Sequence, residues 1–103
     1  MKKHQLRQAI EKISYKDCTD LVVLRYLLLH TLAMVAGQHR ATTHSARAFA
    51  LHQLHKKLEI INTALREKCR KGEGSKAEFE KIKLDVLHCM EHSYPAAAIA
   101  AVA

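Results

Sequence analysis

The chain has 103 residues, of which 49% are hydrophobic and 26% charged, and its formal net charge is +7. This length suits one domain, 1–103, built around a single core. With only one Pro, three Gly and no Trp, the composition argues against many short strands and favours long helices with an aliphatic interior.

The first predicted helix covers 3–15. Leu6, Ile10 and Ile13 recur at steps of three and four residues and form one apolar stripe, while lysines and an arginine occupy much of the remaining surface. An amphipathic helix of this length is marginal alone. We therefore expect it to pack against the other elements.

The three cysteines match no metal-binding or disulfide framework. Cys18, Cys69 and Cys89 are odd in number and contain no Cys-x-x-Cys spacing. The first residues are polar and lack the apolar run of a signal peptide. Together these features predict reduced thiols in a cytoplasmic protein.

The second predicted helix covers 18–36 and is apolar almost all round. Asp17 is the predicted N-cap, with Asp20 near the positive end of the helix dipole, and Gly37 is the predicted left-handed C-cap. Such a helix is either the buried centre of a bundle or a membrane span. Arg25 interrupts an apolar run already shorter than the ~20 residues of a span, so we expect a buried central helix and no membrane contact. Arg25 should then reach an acidic partner or the surface.

The third and fourth helices are predicted over 43–71 and 76–92 as an antiparallel hairpin. Both carry apolar residues at alternating steps of three and four, as helix-pair seams do. The seam positions are Leu51, Leu54, Leu58, Ile61 and Leu65 in the third helix and Phe79, Ile82, Val86 and Cys89 in the fourth. Gly72 is the predicted stop of the third helix, and Ser75 with Glu78 forms a capping box that opens the fourth.

The sequence thus predicts an all-α fold, an antiparallel bundle of about four helices. The apolar segment Pro95–Ala103 favours a further short C-terminal helix. Because the fourth helix is shorter than the third, Thr43–His52 should extend beyond it. The surface formed by these two segments is predicted either to bind a partner or to be covered by the packing of Pro95–Ala103 itself, and consists of Ala46, Phe49, Ala50, Ile99 and Val102.

No group of residues predicts catalysis. Two histidine pairs, His52 with His55 and His88 with His92, have helical metal-ligand spacing. Their angular positions nevertheless direct the pairs to different sides of the predicted hairpin. We therefore expect no catalytic residue, cofactor or metal site. The predicted function is a small non-enzymatic regulatory protein, an inhibitor, chaperone or adaptor, that binds a larger protein.

The alternative is a DNA-binding regulator. Ala33, Gly37 and the polar start of the third helix loosely match the spacing of a helix-turn-helix, and the basic first helix could meet phosphates. The residues predicted to contact nucleic acid are Lys2, Lys3, Arg7, Arg40, Thr43, His44 and Arg47. The pattern does not distinguish DNA from RNA and leaves the oligomeric state open.

Overall fold

Four helices and no strand make up residues 3–92, which the computed structural model describes. Their bounds are α1 Lys3–Lys12, α2 Thr19–Ala41, α3 Ser45–Lys71 and α4 Lys76–His92. The predicted all-α bundle is confirmed, and the bounds of α4 agree with the prediction. The proposed C-terminal helix lies outside the described residues.

Helices α2 and α3 run antiparallel along their whole length. At one end the Cys18 thiol donates a hydrogen bond to the Gly72 carbonyl oxygen at 3.0 Å. At the other end the rings of His39 and His52 lie 6.0 Å apart. We call the end that carries the 42–44 connection the tip, and the opposite end the base.

Side chains from all four helices fill the core. The buried hydrophobic residues are Leu6, Ile10, Leu21, Leu24, Leu27, Leu28, Leu32, Val35, Leu51, Leu54, Leu58, Leu65, Phe79, Val86, Cys89 and Met90. Every predicted seam position of α3 and α4 is among them except Ile61 and Ile82, which pack against the edge of this core. The heptad pattern therefore identified the inner faces of these two helices.

Helix α1 ends at Lys12, three residues earlier than predicted. The chain then turns inward, and the Tyr15 hydroxyl donates to the Gly74 carbonyl oxygen at 3.1 Å. Lys83 donates from its Nζ to the Ile13 carbonyl oxygen at 2.8 Å. These long-range contacts hold residues after Lys12 at the base, and tertiary packing overrides their local helical pattern.

The predicted cap of α4 is found, whereas the N-cap of α2 is Cys18 rather than the predicted Asp17, although Asp17 and Asp20 both accept hydrogen bonds from amides at the start of this helix. Asp17 Oδ1 accepts from the Thr19 amide at 2.8 Å, and Asp20 Oδ2 accepts from the Asp17 amide at 3.1 Å. The hydrogen bonds from Thr19 lower the pKa of the Asp17 carboxyl below its ordinary value. At α4, Ser75 Oγ accepts from the Glu78 amide at 3.2 Å, as a capping box requires.

Helix α2 continues through Gly37 to Ala41, so the predicted C-cap at Gly37 is wrong. Within residues 3–92 the only positive φ belongs to Gly72, at 66°, where α3 ends as predicted. A glycine inside a helix costs only about 1 kcal/mol relative to alanine. Helix α2 therefore continues for about one further turn, on which His39 lies beside His52 of α3.

The connection between α2 and α3 does not form a helix-turn-helix. Helix α3 begins at Ser45 rather than Thr43, and its N-cap is His44, whose Nδ1 accepts from the Arg47 amide at 3.4 Å. Helix-turn-helix motifs cross at about 90–120°, whereas α2 and α3 are antiparallel. Residues 37–47 therefore do not adopt the helix-turn-helix geometry that the sequence predicted.

Two glycine substitutions distinguish these backbone conformations. Gly37→Ala is expected to stabilise the fold by about 0.5–1 kcal/mol, because alanine favours a helix interior and its Cβ would meet only the Arg40 guanidinium, at 4.0 Å. Gly72→Ala should destabilise by about 1–2 kcal/mol, because a Cβ strains a left-handed residue. Urea unfolding measures both changes. If Gly37→Ala instead lowered the free energy of unfolding, the result would support the left-handed C-cap that the sequence predicted at Gly37.

Candidate functional site

One face of α2 is left uncovered by the rest of the described chain. Val22 is 56% exposed, Val23 46%, Tyr26 61% and Leu29 40%. We call this surface the outer face of α2; its six residues are Val22, Val23, Tyr26, Leu29, His30 and Ala33. The prediction that α2 is the buried central helix holds for its opposite side, which supplies seven buried residues and packs against the other three helices, but not for this face.

The limited length of α1 explains this exposure. At 1.5 Å per residue, α1 is about 15 Å long and α2 about 34 Å. Helix α1 packs against both α2 and α4, so it covers only one flank of α2 near the base. Helices α3 and α4 occupy the inner side. Within the described residues no helix is left to cover the outer face.

The outer face contains a regular stripe. Val22, Tyr26, Leu29 and Ala33 follow one another at steps of four, three and four, and lie within about 60° around the helix axis. Tyr26 packs edge-on against His30 with ring centroids 4.6 Å apart. Tyr26, Leu29, His30 and Ala33 also line a shallow depression of about 220 Å³. This spacing is typical of a surface that receives another helix.

The stripe is free of carboxylates and ammonium groups. Between Asp20 and Arg40 the only Asp, Glu, Lys or Arg is Arg25, which is half-buried on the side of α3. Its Nε has no hydrogen-bond partner within residues 3–92, and the side chain is partly exposed, so of the two expected outcomes, an acidic partner or the surface, the structure favours the surface. By length and composition α2 could cross a membrane, a test that core helices of soluble proteins also pass.

The other exposed apolar side chains are scattered. Ile60 is 72% exposed and lines a groove of about 380 Å³ between α3 and α4. The rim of that groove carries both signs of charge, and Lys68 pairs with Glu78 across it. Leu84 is 63% exposed on α4. Neither residue belongs to an uncharged patch comparable with the outer face.

The predicted partner-binding residues are only partly brought together. Ala46, Phe49 and Ala50 lie on the first two turns of α3, where Phe49 is 66% exposed and the alanines are half-buried. Ile99 and Val102 lie outside the described residues. Sequence reasoning missed the outer face because hydropathy assigned all of α2 to the core. The signal that could have revealed it was the shortness of the first helix.

The residues predicted to contact nucleic acid divide between two places. Arg40, Thr43, His44 and Arg47 gather at the tip, and Lys3 and Arg7 lie on α1, where Arg7 pairs with Glu11 at 3.0 Å. Lys2 lies outside the described residues. The tip is basic because no Asp or Glu occurs between Asp20 and Glu59.

The two thiols nearest the core are poorly suited to act as nucleophiles. Burial raises the pKa of the Cys69 thiol, although the Arg25 charge lowers it in part. Burial likewise raises the pKa of the Cys89 thiol. Both therefore remain protonated at neutral pH, whereas the thiolate is the reactive form.

Comparison with known proteins assigns no family to this fold. No protein-family model matches the chain, and no curated protein or solved structure gives a significant match.

Proposed function

We propose that this chain is a small non-enzymatic regulatory or adaptor protein that acts through protein–protein binding at the outer face of α2. The observation that carries the proposal is the stripe of Val22, Tyr26 and Leu29, which is exposed, contiguous and uncharged. The largest exposed apolar patch on a protein of this kind is often functional.

The chemistry of the stripe also predicts which kind of partner would fit it. Steps of four, three and four residues fit the apolar seam of a second helix packed along α2. Tyr26 is the natural anchor, since tyrosine is enriched among residues that dominate binding energy. The partner presents an amphipathic helix whose apolar face lacks charge, because a charge facing this stripe would be desolvated without a counterion.

Capture experiments with matched variants test this function. Immobilised wild-type protein is compared with Tyr26→Asp, which places a charge in the stripe, and Ile60→Asp, which places one at a similarly exposed site on α3. We expect Tyr26→Asp to lose the specific partner and Ile60→Asp to retain it. Circular dichroism verifies that both variants fold.

The same experiment distinguishes protein–protein binding from the alternative function, nucleic-acid binding. Equal capture by Tyr26→Asp and wild type would reject the outer face as the binding site. The wild-type protein could instead recover nucleic acid that is released steeply as salt rises. If Arg40→Glu also abolished that recovery, the result would favour a nucleic-acid-binding regulator that uses the basic tip.

A further inference from the structure

We propose that a pocket at the tip binds a single phosphate group, either inorganic phosphate or a phosphate monoester. The pocket lies between the last two turns of α2 and the first three turns of α3, and we call it the tip pocket. Its polar lining consists of His39 and Arg40 from α2 and His52 and His55 from α3. None of these residues belongs to the outer face of α2, so the inference is independent of the proposed function.

The tip pocket has the size of a small-ion site. Its volume is about 140 Å³, which is well below the roughly 300–1,000 Å³ of sites that take drug-sized ligands. Of the five residues that line it, only Ala36 has an apolar side chain. A small polar group therefore fits this pocket better than an apolar side chain or a large organic molecule.

Acidic side chains do not neutralise the Arg40 side of the tip pocket. Within residues 3–92 the guanidinium of Arg40 has no acidic partner, and neither have the rings of His39 and His52. No Asp or Glu occurs in residues 21–58. Glu59 is engaged with the fourth polar lining residue, because its Oε1 lies 2.6 Å from His55 Nδ1. An ionised carboxylate can only accept, so His55 donates from Nδ1 and its Nε2 is left for a ligand.

The donors of the tip pocket match a phosphate group. A guanidinium presents a planar fork of N–H donors that fits phosphate oxygens, and a protonated imidazole donates from both ring nitrogens. The rings of His39 and His52 lie on different helices with their centroids 6.0 Å apart. Two protonated rings at that distance repel each other, and a dianion beside them offsets the repulsion.

An anion fits the tip pocket better than a metal ion. In the described part of the chain no three His, Cys, Asp or Glu side chains are placed to hold a metal. The guanidinium of Arg40, which is among the lining residues, would also repel a cation. The charge of this pocket therefore selects a negatively charged ligand.

Protonation of the histidines should strengthen anion binding, because histidine is the side chain that gains a charge between about pH 8 and about pH 5. The ionisable groups facing the tip pocket are Arg40, His39, His52 and His55, with Glu59 paired to His55. Sulfate keeps two negative charges over this range, so a change in its affinity reports on the protein alone. We expect its dissociation constant to fall by about tenfold from about pH 8 to about pH 6, as coupled sites allow. A constant affinity would overturn the assignment of the site to these histidines.

Nuclear magnetic resonance of the histidine rings measures the binding in the full chain. Sodium phosphate, phenyl phosphate and sodium sulfate are titrated separately at constant ionic strength, and the ring signals of His39 and His52 are followed. Arg40→Gln should weaken phosphate binding by at least about tenfold, as expected for the loss of a charge-assisted hydrogen bond. Arg66→Gln removes the same charge from an exposed site on α3, about 21 Å along the helix from His52, and should bind phosphate as the wild type does.

Each outcome of these titrations decides the inference. Saturable shifts with both phosphate compounds support it, and tighter binding of phenyl phosphate would identify a monoester as the ligand. Equal weakening in Arg40→Gln and Arg66→Gln would show that net charge alone attracts the anion and would overturn it. The absence of saturable shifts would also overturn it. So would a DNA duplex that shifts the same signals when phosphate does not, because the tip would then contact an extended backbone rather than one phosphate group.

Discussion

Leu28→Asp is expected to unfold the protein. Leu28 is completely buried in the core on the inner side of α2. Removing a buried leucine side chain costs about 2–5 kcal/mol, and the carboxylate adds the penalty of an unpaired buried charge. Since small domains are stable by only about 5–15 kcal/mol, the sum approaches the whole stability. Far-UV circular dichroism and thermal melting measure the loss.

The adjacent residue supplies the control. Leu29 is 40% exposed on the outer face, so Leu29→Asp places the same charge where water can solvate it. We expect this variant to remain folded, with a stability change within about 1 kcal/mol. Equal damage at both positions would mean that α2 is buried on both sides and that no outer face exists.

Phe79→Ala is expected to lower stability by about 3–5 kcal/mol. Phe79 is fully buried, and its ring lies 5.4 Å from that of Tyr15. The cavity would therefore open at the base, where the segment after α1 meets α4. For a domain of this size the melting temperature should fall by more than about 10 °C, measured by differential scanning calorimetry.

The chain contains one other phenylalanine, which makes the comparison direct. Phe49 is 66% exposed near the start of α3, and Phe49→Ala should change stability by less than about 0.5 kcal/mol. A large loss at Phe49 would indicate that another segment of the chain covers it, as the predicted packing of Pro95–Ala103 requires.

Local signals predicted the α3–α4 hairpin well. The Ser75–Glu78 cap and Gly72 act through neighbours in sequence, so their effect is visible without tertiary information. Gly37 is different, because whether a helix continues through glycine depends on what packs against it. The start of α3 also differs from the prediction, because the helix begins at Ser45, with His44 as its N-cap, and not at residue 43.

The candidate site was harder to predict than the fold. Val22, Tyr26 and Leu29 belong to the same apolar run as the leucines that face the core, so composition cannot distinguish an exposed apolar residue from a buried one. The distinction depends on how much of α2 the other helices can reach. That is a question of helix lengths, and α1 proved shorter than its sequence pattern indicated.

The overhang of α2 and α3 at the tip has a consequence for motion. None of residues 36–50 is buried, whereas the base is fastened by hydrogen bonds from Tyr15, Cys18 and Lys83 to backbone carbonyls of other segments. Regions with few buried contacts open at a smaller free-energy cost than the core. The free-energy cost of local opening therefore decreases from the base to the tip along the 45 Å long axis. We expect the backbone amides of the tip to exchange with solvent before those of the base.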